Sequence, residues 1–188
     1  AEKMGIPHYV IDAEDPFAHK IVQYFIDQYM QGRTPNPCTR CNKQIKWNIL
    51  LQLADQMQME YIATGHYARI KEHHGKFVIQ QGASAQKDQS YFLWQLTSND
   101  MRRTLLPLGN YDKETIRAIA GDLGFNALAN KGESFDVCFI EENDNRAFMR
   151  RQVPQIDQYL EGGRFVDESG EIIGKHHGFP FYTVGQRK

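Results

Sequence analysis

An apolar repeat with helical spacing runs through the first thirty residues and stops at a glycine. Asp15 followed by Pro16 is typical of a helix start, and Gly32 of a helix end. The side chains expected to face the core are Phe17, Ile21, Tyr24, Phe25 and Tyr29. Before this helix, residues 6–11 are rich in β-branched and aromatic side chains and predict a strand. The chain therefore begins with an alternation of strand and helix.

A second helical repeat follows a segment that holds two prolines. Pro35 and Pro37 disfavour regular helix, so we expect a stiff, extended loop over residues 33–41 and Asn42 as the cap of the next helix. The apolar stripe of that helix is Ile45, Ile49, Leu50, Leu53 and Met57. Residues 61–64 then predict a second short strand. Together with residues 6–11, this predicts a parallel β-α-β unit, the building block of α/β folds.

The rest of the chain divides into two segments with different patterns of predicted secondary structure. Residues 67–71 and 76–80, separated by a turn, predict an antiparallel hairpin, and Asp112 is expected to cap a helix that ends at Gly124. After Cys138, a charged helix at residues 143–152 precedes glycine-punctuated β segments at residues 163–184. We therefore predict a domain over residues 1–140 and part of a smaller α+β domain over residues 141–188.

The composition limits the kinds of partner. With 22 basic and 23 acidic residues the formal net charge is −1, so contacts to RNA must come from local patches rather than from bulk positive charge. Apolar residues make up 41% of the chain, which favours a folded core over disorder. No apolar run is long enough to cross a bilayer and no signal peptide is recognisable, which predicts a cytoplasmic protein without a membrane partner.

Three cysteines are too few for a disulfide framework, so metal, cluster or redox chemistry is the first expectation. Cys38 and Cys41 form a CxxC pair close to a helix start, where the helix dipole favours the thiolate. Structural zinc would need a histidine beside the three sulfurs, and simple packing of the pair is the alternative. Cys138 lies in the apolar run 137–140, and these neighbours alone predict that it is a buried core residue. Its meaning depends on whether the fold brings it close to Cys41.

Two further segments carry polar side chains suited to nucleotides. Gly65 follows a predicted parallel strand, at the end where α/β sheets bind ligands, although a turn glycine beside a surface histidine, His66, would look the same. Residues 87–91 combine a cation, a carboxylate, an amide, a hydroxyl and an aromatic ring, a mixture that suits phosphate and base contacts. A solvated loop is the alternative for that segment.

Seven segments, in order along nearly the whole chain, resemble the tRNA-specific 2-thiouridylase family (MnmA or TrmU). They are GRTPNP at 32–37, CNK at 41–43, IKW at 45–47, ATGHY at 63–67, KDQSYFL at 87–93, CFI at 138–140 and YTVGQRK at 182–188. The resemblance implies a Rossmann-like parallel sheet of the PP-loop (adenine nucleotide alpha hydrolase) type, followed by part of a tRNA-binding domain. It also implies that the family's N-terminal PP-loop and C-terminal β-barrel are missing, so the 188 residues alone should not thiolate tRNA.

The same resemblance implies an activity and its partners. ATP and Mg²⁺ would adenylate O2 of the wobble uridine in the anticodon stem-loop of tRNA, and sulfur from a donor protein would then displace AMP. The cysteine matching Cys138 would carry that sulfur as a persulfide. The one matching Cys41 would attack it and leave a Cys41–Cys138 disulfide.

Further site residues follow from the resemblance alone. Asn36, Pro37 and the position of Cys38 would contact the target base, and Gly65 would contact ATP. The residues implied to contact tRNA are His66, Lys87, Asp88 and Gln89.

Cys38 departs from the family, because many relatives carry aspartate at this position. The substitution opens a second mechanism, in which Cys38, Cys41 and Cys138 hold three irons of a [4Fe-4S] cluster whose fourth iron binds hydrosulfide. Two other classes stay open as well. One is an RNA-binding module with structural zinc and a basic end at Arg187 and Lys188, and the other is a PP-loop enzyme that adenylates a different substrate.

Overall fold

The computed structural model describes residues 1–129, 132, 137–160 and 162–186, so Arg187 and Lys188 lie outside the described part. Two long helices organise the first half. Helix α1 is built from the consecutive segments Glu14–Phe17, Ala18–Val22 and Gln23–Met30, and α2 from Pro37–Cys41, Asn42–Trp47 and Asn48–Gln56. In both, the middle segment has the i→i+5 hydrogen bonding of a π-helix.

The remaining helices are short. They are α3 (Ser98–Arg102), α4 (Lys113–Asp122), α5 (Asn126–Ala129), α6 (Asn145–Gln152) and α7 (Ile156–Tyr159). Single turns of 3₁₀-helix lie at Glu2–Met4, Ser90–Leu93, Pro107–Asn110, Glu141–Asn143 and Phe179–Phe181.

The described strands form three pairs. Strand β1 (Ile62–Ala63) pairs in parallel with β4 (Thr104–Leu105). Strands β2 (Ala68–His73) and β3 (Lys76–Gln81) form an antiparallel hairpin, as do β5 (Gly163–Val166) and β6 (Ile172–His176). The predicted hairpin is therefore confirmed. Its turn uses His74 and Gly75, both with positive φ, as two-residue hairpin turns require.

The predicted strand at residues 6–11 is wrong. These residues pair with no strand in the described part of the chain, and Val10 is 87% exposed. A strand needs a partner for its backbone N–H and C=O groups, and β-branched composition alone does not supply one. The parallel partner of β1 is β4 instead, so the parallel pairing is present but the predicted β-α-β order is not.

The predicted start of α2 is also wrong. Asn36, not Asn42, caps the helix, with its Oδ1 accepting from the N–H of Cys38 (3.1 Å) and of Thr39 (3.4 Å). Pro37 is compatible with this start because the first helical residue needs no N–H partner. Both cysteines consequently lie in the first turns of a helix, and Asn42 becomes a buried interior residue. In α1 the helix begins at Glu14 rather than after Asp15, with Ala13 as its N-cap.

Two apolar clusters hold the elements together. The first joins α1 to the C-terminal part and contains Phe25, Ile26, Tyr29, Ile140, Phe148, Met149, Ile156 and Phe181. The second lies between α2 and strands β1 and β2 and contains Trp47, Ala54, Ile62, Ala68, Leu93, Leu96 and Met101. Since the first cluster draws on residues before and after position 140, the two parts of the chain pack against each other. The boundary near residue 140 stays a prediction.

Candidate functional site

The two cysteines of the CxxC pair lie on one face at the beginning of α2. Cys38 and Cys41 are three positions apart, which places them one above the other on a helix, and both are half-buried. Thr39 between them is 5% exposed and its hydroxyl donates to the carbonyl of Asn36 at 3.0 Å. The cap and this hydroxyl fix the first turn, so the backbone of both cysteines is well anchored.

Cys138 lies in an exposed turn rather than in a core strand, so the reading of residues 137–140 as a strand is wrong. Its neighbours take the apolar contacts instead. The ring of Phe139 packs edge-on against Phe25 at 5.3 Å and against Phe17 at 5.7 Å, and Val137 packs on the same cluster. These contacts attach the turn to α1 and leave the Cys138 side chain facing solvent.

The fold brings the three thiols into electrostatic contact. Burial raises the pKa of Cys38, and the next largest cause is Cys138, which raises it further. Burial also raises the pKa of Cys41, where Lys46 opposes the shift and Cys138 adds to it. A cavity of about 650 Å³ also shows that the start of α2 and the turn of Cys138 are close together. Its lining includes Thr34 and Pro35, which precede α2, and Val137, which precedes Cys138.

The expectation that the helix start favours the thiolate is wrong for both residues of the CxxC pair. The pKa of each thiol is raised, with burial as the largest cause. The amide groups that would stabilise a thiolate at the helix start, those of Cys38 and Thr39, donate to the Asn36 side chain.

Lys46 is a site residue to which the sequence alone assigned no role. Its charge lowers the pKa of Cys38 and Cys41, and it also contributes to lowering that of His66. One cation thus acts electrostatically on two of the three thiols and on the imidazole. The resemblance singles out the IKW segment at 45–47, but nothing in the sequence indicates an interaction between Lys46 and the cysteines.

Gly65 and His66 lie at the carboxyl end of β1. Gly65 is exposed, so its backbone is open to a ligand. His66 is largely buried, with Nδ1 hydrogen-bonded to the Thr64 hydroxyl at 2.9 Å and its ring 5.4 Å from that of Trp47. Burial, helped by Lys46, lowers the pKa of His66 to about 4, so the imidazole is neutral at physiological pH.

The loop at residues 87–91 is held by its own polar side chains to the two ends of the β2–β3 hairpin, at Tyr67 and Gly82. The carboxylate of Asp88 accepts from Gly82 N at 2.8 Å, from Ser90 N at 3.3 Å and from the Ser90 hydroxyl at 2.6 Å. Gln89 exchanges two hydrogen bonds with the backbone of Tyr67, at 3.0 and 2.9 Å. Asp88 and Gln89 therefore shape the loop and tie it to the segment after Gly65, and Lys87 lies beside them.

Asn42 links this loop to α2. Its side-chain amide donates to the carbonyl of Phe92 at 2.9 Å, while the residue itself is 3% exposed. Because Asn42 follows Cys41 directly, this hydrogen bond connects the CxxC helix to the segment after Gln89.

The donor groups do not fit a metal centre in this conformation. Within the described residues, no group of three or more His, Cys, Asp or Glu side chains is arranged to hold a metal ion. The three thiols share a neighbourhood without converging as ligands would, so neither the [4Fe-4S] cluster nor structural zinc is supported. None of the described helices is both long and apolar enough to span a membrane.

Comparison with known proteins identifies relatives for both parts of the chain. A family model described as tRNA methyl transferase HUP domain matches residues 1–142, and one described as tRNA methyl transferase PRC-barrel domain matches residues 148–188. The HUP match confirms the predicted Rossmann-like α/β class with a second, smaller domain.

Several curated relatives match the whole chain. The tRNA-specific 2-thiouridylase MnmA of Cytophaga hutchinsonii is 46% identical over 188 residues, that of Amoebophilus asiaticus 47%, and MnmA 3 of Phocaeicola vulgatus 50%. These alignments cover 100% of this chain and 51%, 50% and 50% of the respective relatives. The chain thus spans about half the length of the curated relatives it matches.

Proposed function

The chain belongs to the tRNA methyl transferase HUP domain family, and we propose that it is part of an enzyme that converts a uridine of tRNA to 2-thiouridine. The names of its relatives support this assignment. The observation that carries it is the neighbourhood of Cys138 and the CxxC pair, since sulfur transfer needs a carrier thiol and a second thiol within reach.

The sulfur path uses two of the three thiols. Cys138 is exposed, so a sulfur-donor protein can reach it and leave a persulfide. Cys41 as thiolate attacks the inner sulfur of that persulfide, the S–S bond breaks, and the terminal sulfur leaves as hydrosulfide. A Cys41–Cys138 disulfide forms, so the two thiols are oxidised as the sulfane sulfur is reduced to sulfide. The hydrosulfide attacks C2 of the adenylated uridine, the C2–O2 bond breaks, and O2 leaves with AMP.

The target base is proposed to lie beside the start of α2, in contact with Asn36, Pro37 and Cys38. The cavity next to this turn supports the placement, because its volume of about 650 Å³ is in the range of small-molecule sites. Phe25, Tyr29 and Phe181 contribute aromatic surface to it. Cys38 stands where a carboxylate would otherwise serve as an acid or base, so this chain is proposed to work without that group.

The nucleotide is proposed to contact Gly65. The fit rests on the exposed backbone at the carboxyl end of β1, where a Cβ at Gly65 would meet only Leu108 Cδ1, at 3.6 Å. ATP, when bound, supplies the adenylyl group that makes O2 of the uridine a leaving group, and we propose Mg²⁺ only as the companion of its phosphates. The chain's own contribution is the pair of hydrogen bonds that connects Tyr67, two residues after Gly65, to Gln89.

The loop that contains Lys87 is proposed to contact tRNA, together with His66. The side chains of Asp88 and Gln89 form hydrogen bonds within the protein that shape this loop. This supports a role for them in presenting the loop to tRNA, with Lys87 as the residue that contacts the RNA directly. Since His66 is neutral, it would contact RNA as a hydrogen-bonding group and not as a cation. We also propose that the enzyme works in the cytoplasm, where tRNA is modified.

The test is thiolation by the full-length protein with ATP, tRNA and a persulfide donor, read by nucleoside mass spectrometry. Cys41→Ser and Cys138→Ser should each abolish 2-thiouridine, while adenylate formation persists. The matched control is Met59→Ser, which replaces a sulfur-containing side chain at an exposed position outside the proposed site and should leave thiolation unchanged. Full thiolation by either cysteine variant would refute the sulfur path. Iron and acid-labile sulfide in active, anaerobically purified protein would replace it with the cluster mechanism.

A further inference from the structure

One face of the β2–β3 hairpin is basic. Side chains alternate between the two faces of a strand, and directly paired residues share a face. Arg69 and Lys71 of β2 therefore lie on the same face as Gln80, which pairs with Arg69, and Lys76, which pairs with His73. All of these residues are exposed. Successive cations of β2 on this face are about 7 Å apart along the strand, so the face presents a row of positive charge to solvent.

The other face of the hairpin packs on the protein. Ile70, Phe77 and Ile79 belong to it and pack against the second apolar cluster. Glu72 is the only acidic residue in the sequences of β2 and β3, and its pairing with Phe77 places it on this second face. The hairpin thus keeps its basic side chains on the outer face and its carboxylate off it.

A cavity of about 560 Å³ continues the basic face onto neighbouring elements. Arg69, Lys71 and Gln80 line it from the hairpin. Arg102, the last residue of α3, and Tyr61, which precedes β1, also line it. Among the described residues that line this cavity there is no Asp or Glu. An anion in the cavity would therefore meet three cations, an amide and an aromatic ring without a like charge.

The cations of this cavity have no carboxylate partner. None of the ion pairs formed by the described residues includes Arg69, Lys71 or Arg102. Arg69 donates its Nε–H to a backbone carbonyl of β3 at 2.8 Å, which anchors the guanidinium and leaves its two terminal nitrogens for a ligand. The next arginine, Arg103, differs, because it pairs with Asp55 and donates to two backbone carbonyls.

The basic face adjoins the loop that is proposed to contact tRNA. That loop, residues 87–91, is hydrogen-bonded to both ends of the hairpin, at Tyr67 and Gly82. Tyr67 is two residues from Arg69, so an RNA strand bound at the loop is close to the first cation of the face. Contacts from Arg, Lys and amide side chains to phosphate supply much of the affinity of proteins for nucleic acid. In a chain of net charge −1, such contacts require a local basic patch.

We propose that the outer face of the β2–β3 hairpin, together with Arg102, is a further tRNA-binding surface that contacts backbone phosphates outside the site of the modified base. Arg69, Lys71 and Arg102 bind the phosphate oxygens. Such contacts carry no base-sequence information, so this surface strengthens and orients binding without selecting the tRNA. The identity of the partner rests on the proposed function, in which tRNA is the substrate.

The experiment measures binding of a tRNA transcript to the full-length protein by fluorescence anisotropy, at KCl concentrations from about 50 to 200 mM and without ATP or a sulfur donor. Lys71→Gln and Arg102→Gln, on different elements, should each weaken binding. Each should lower the slope of log Kd against log salt concentration by about 1, as expected for one lost phosphate contact, and the two together by about 2. Lys71→Arg keeps the charge and should keep the wild-type slope.

The matched control is Lys20→Gln. It removes the same charge from an exposed lysine of α1 that lines a different cavity, one that also contains Asp55 and Asp100, and it should leave the slope unchanged. Because the substituted side chains are exposed, the urea midpoints of all variants should stay close to that of the wild type. A wild-type slope in either Lys71→Gln or Arg102→Gln would overturn the inference. An equal decrease in Lys20→Gln would also overturn it, since total charge alone would then explain the effect.

A separate thiolation assay distinguishes the failure of this inference from that of the proposed function. If the wild type forms 2-thiouridine while both glutamine variants bind tRNA with the wild-type slope, only the hairpin surface is wrong. If the variants lower the slope as expected but the wild type forms no 2-thiouridine, only the proposed function fails.

Discussion

The indole N–H of Trp47 donates a 2.8 Å hydrogen bond to the hydroxyl of Thr104. Trp47 is fully buried and Thr104 is 5% exposed, and the Thr104 hydroxyl donates in turn to the carbonyl of Asp100 at 2.7 Å. This chain of bonds locks the last residue of the π-helical segment to strand β4.

Replacing Thr104 by valine should destabilise the protein. The substitution keeps the shape but removes the acceptor of a buried indole N–H, and an unpaired buried donor costs about 1–3 kcal/mol. Thr104→Ser keeps the hydroxyl and should lose less. The comparison is made by urea unfolding, followed by far-UV circular dichroism. Equal midpoints for the two variants would contradict the role given to this hydrogen bond.

His66 should make stability depend on pH in mildly acidic solution. Burial lowers its pKa from the ordinary 6.5 to about 4, so between these values the unfolded chain binds a proton that the folded protein does not. Stability is then fully present above pH 6.5 and falls as the pH drops toward 4, by about 3 kcal/mol from this residue. Unfolding free energies at pH 4.5 and 7 measure the effect.

The control for that measurement is His66→Gln, which cannot titrate. The substitution changes the packing against Trp47 and lowers the stability at every pH, but the part of the pH dependence that His66 causes should disappear. If wild type and variant lose the same free energy between pH 7 and 4.5, the imidazole is not the group responsible.

Asp88 should be more important for stability than for direct contact with RNA. Burial alone would raise its pKa, but the hydrogen bonds from Ser90 and Gly82 outweigh it and hold the pKa below the ordinary value. Asp88→Ala leaves the buried Gly82 N–H unpaired and should lower the free energy of unfolding by about 1–3 kcal/mol at pH 7.

Lys87→Ala, at the neighbouring position, should weaken tRNA binding with little change in the unfolding midpoint.

The pH effect at Asp88 has the same sign as that at His66 but a different cause, because hydrogen bonds to the carboxylate rather than burial lower the pKa of Asp88. A carboxyl group with a lowered folded-state pKa contributes its stability above its ordinary pKa and loses it as the pH falls through the folded-state value. The difference in unfolding free energy between wild type and Asp88→Ala should therefore shrink in strong acid. A constant difference from pH 7 to pH 2 would show that the carboxylate charge is not involved.

The sequence predicts correctly those features of the fold that depend on interactions between residues close together in the chain. The hairpin turn at His74 and Gly75 forms as predicted, and Asp112 caps α4 by accepting from Thr115 N at 2.7 Å. The strand at residues 6–11 failed because a strand depends on a partner, and neighbouring residues cannot supply that information. The Asn36 cap was missed because Pro37 was read as a helix breaker rather than as the first residue of the helix.

The core face of α2 was predicted only in part, and the π-helical segment is the reason. Ile45 is buried as expected, but Met57 at the end of the predicted stripe is 38% exposed, and Trp47, outside the stripe, is completely buried. The i→i+5 hydrogen bonds over Asn42–Trp47 depart from the α-helical period on which the stripe is based, and Met57 follows the last helical residue, Gln56.

The candidate site was foreseen only through the family resemblance. Composition and spacing left Cys138 as a core residue, whereas the fold places it in an exposed turn within electrostatic reach of Cys38 and Cys41. Long-range convergence of this kind depends on tertiary packing, here that of Phe139 on α1. The roles of the individual site residues stay predictions.

A single-turnover reaction tests the central claim most directly. Full-length protein carrying a persulfide on Cys138 is mixed with ATP and tRNA and quenched with acid, and its peptides are analysed without reduction. The account predicts a Cys41–Cys138 disulfide that forms in step with 2-thiouridine, in equal amount. Formation of 2-thiouridine with both thiols still reduced, or with Cys38 in place of Cys41 in the disulfide, would contradict it.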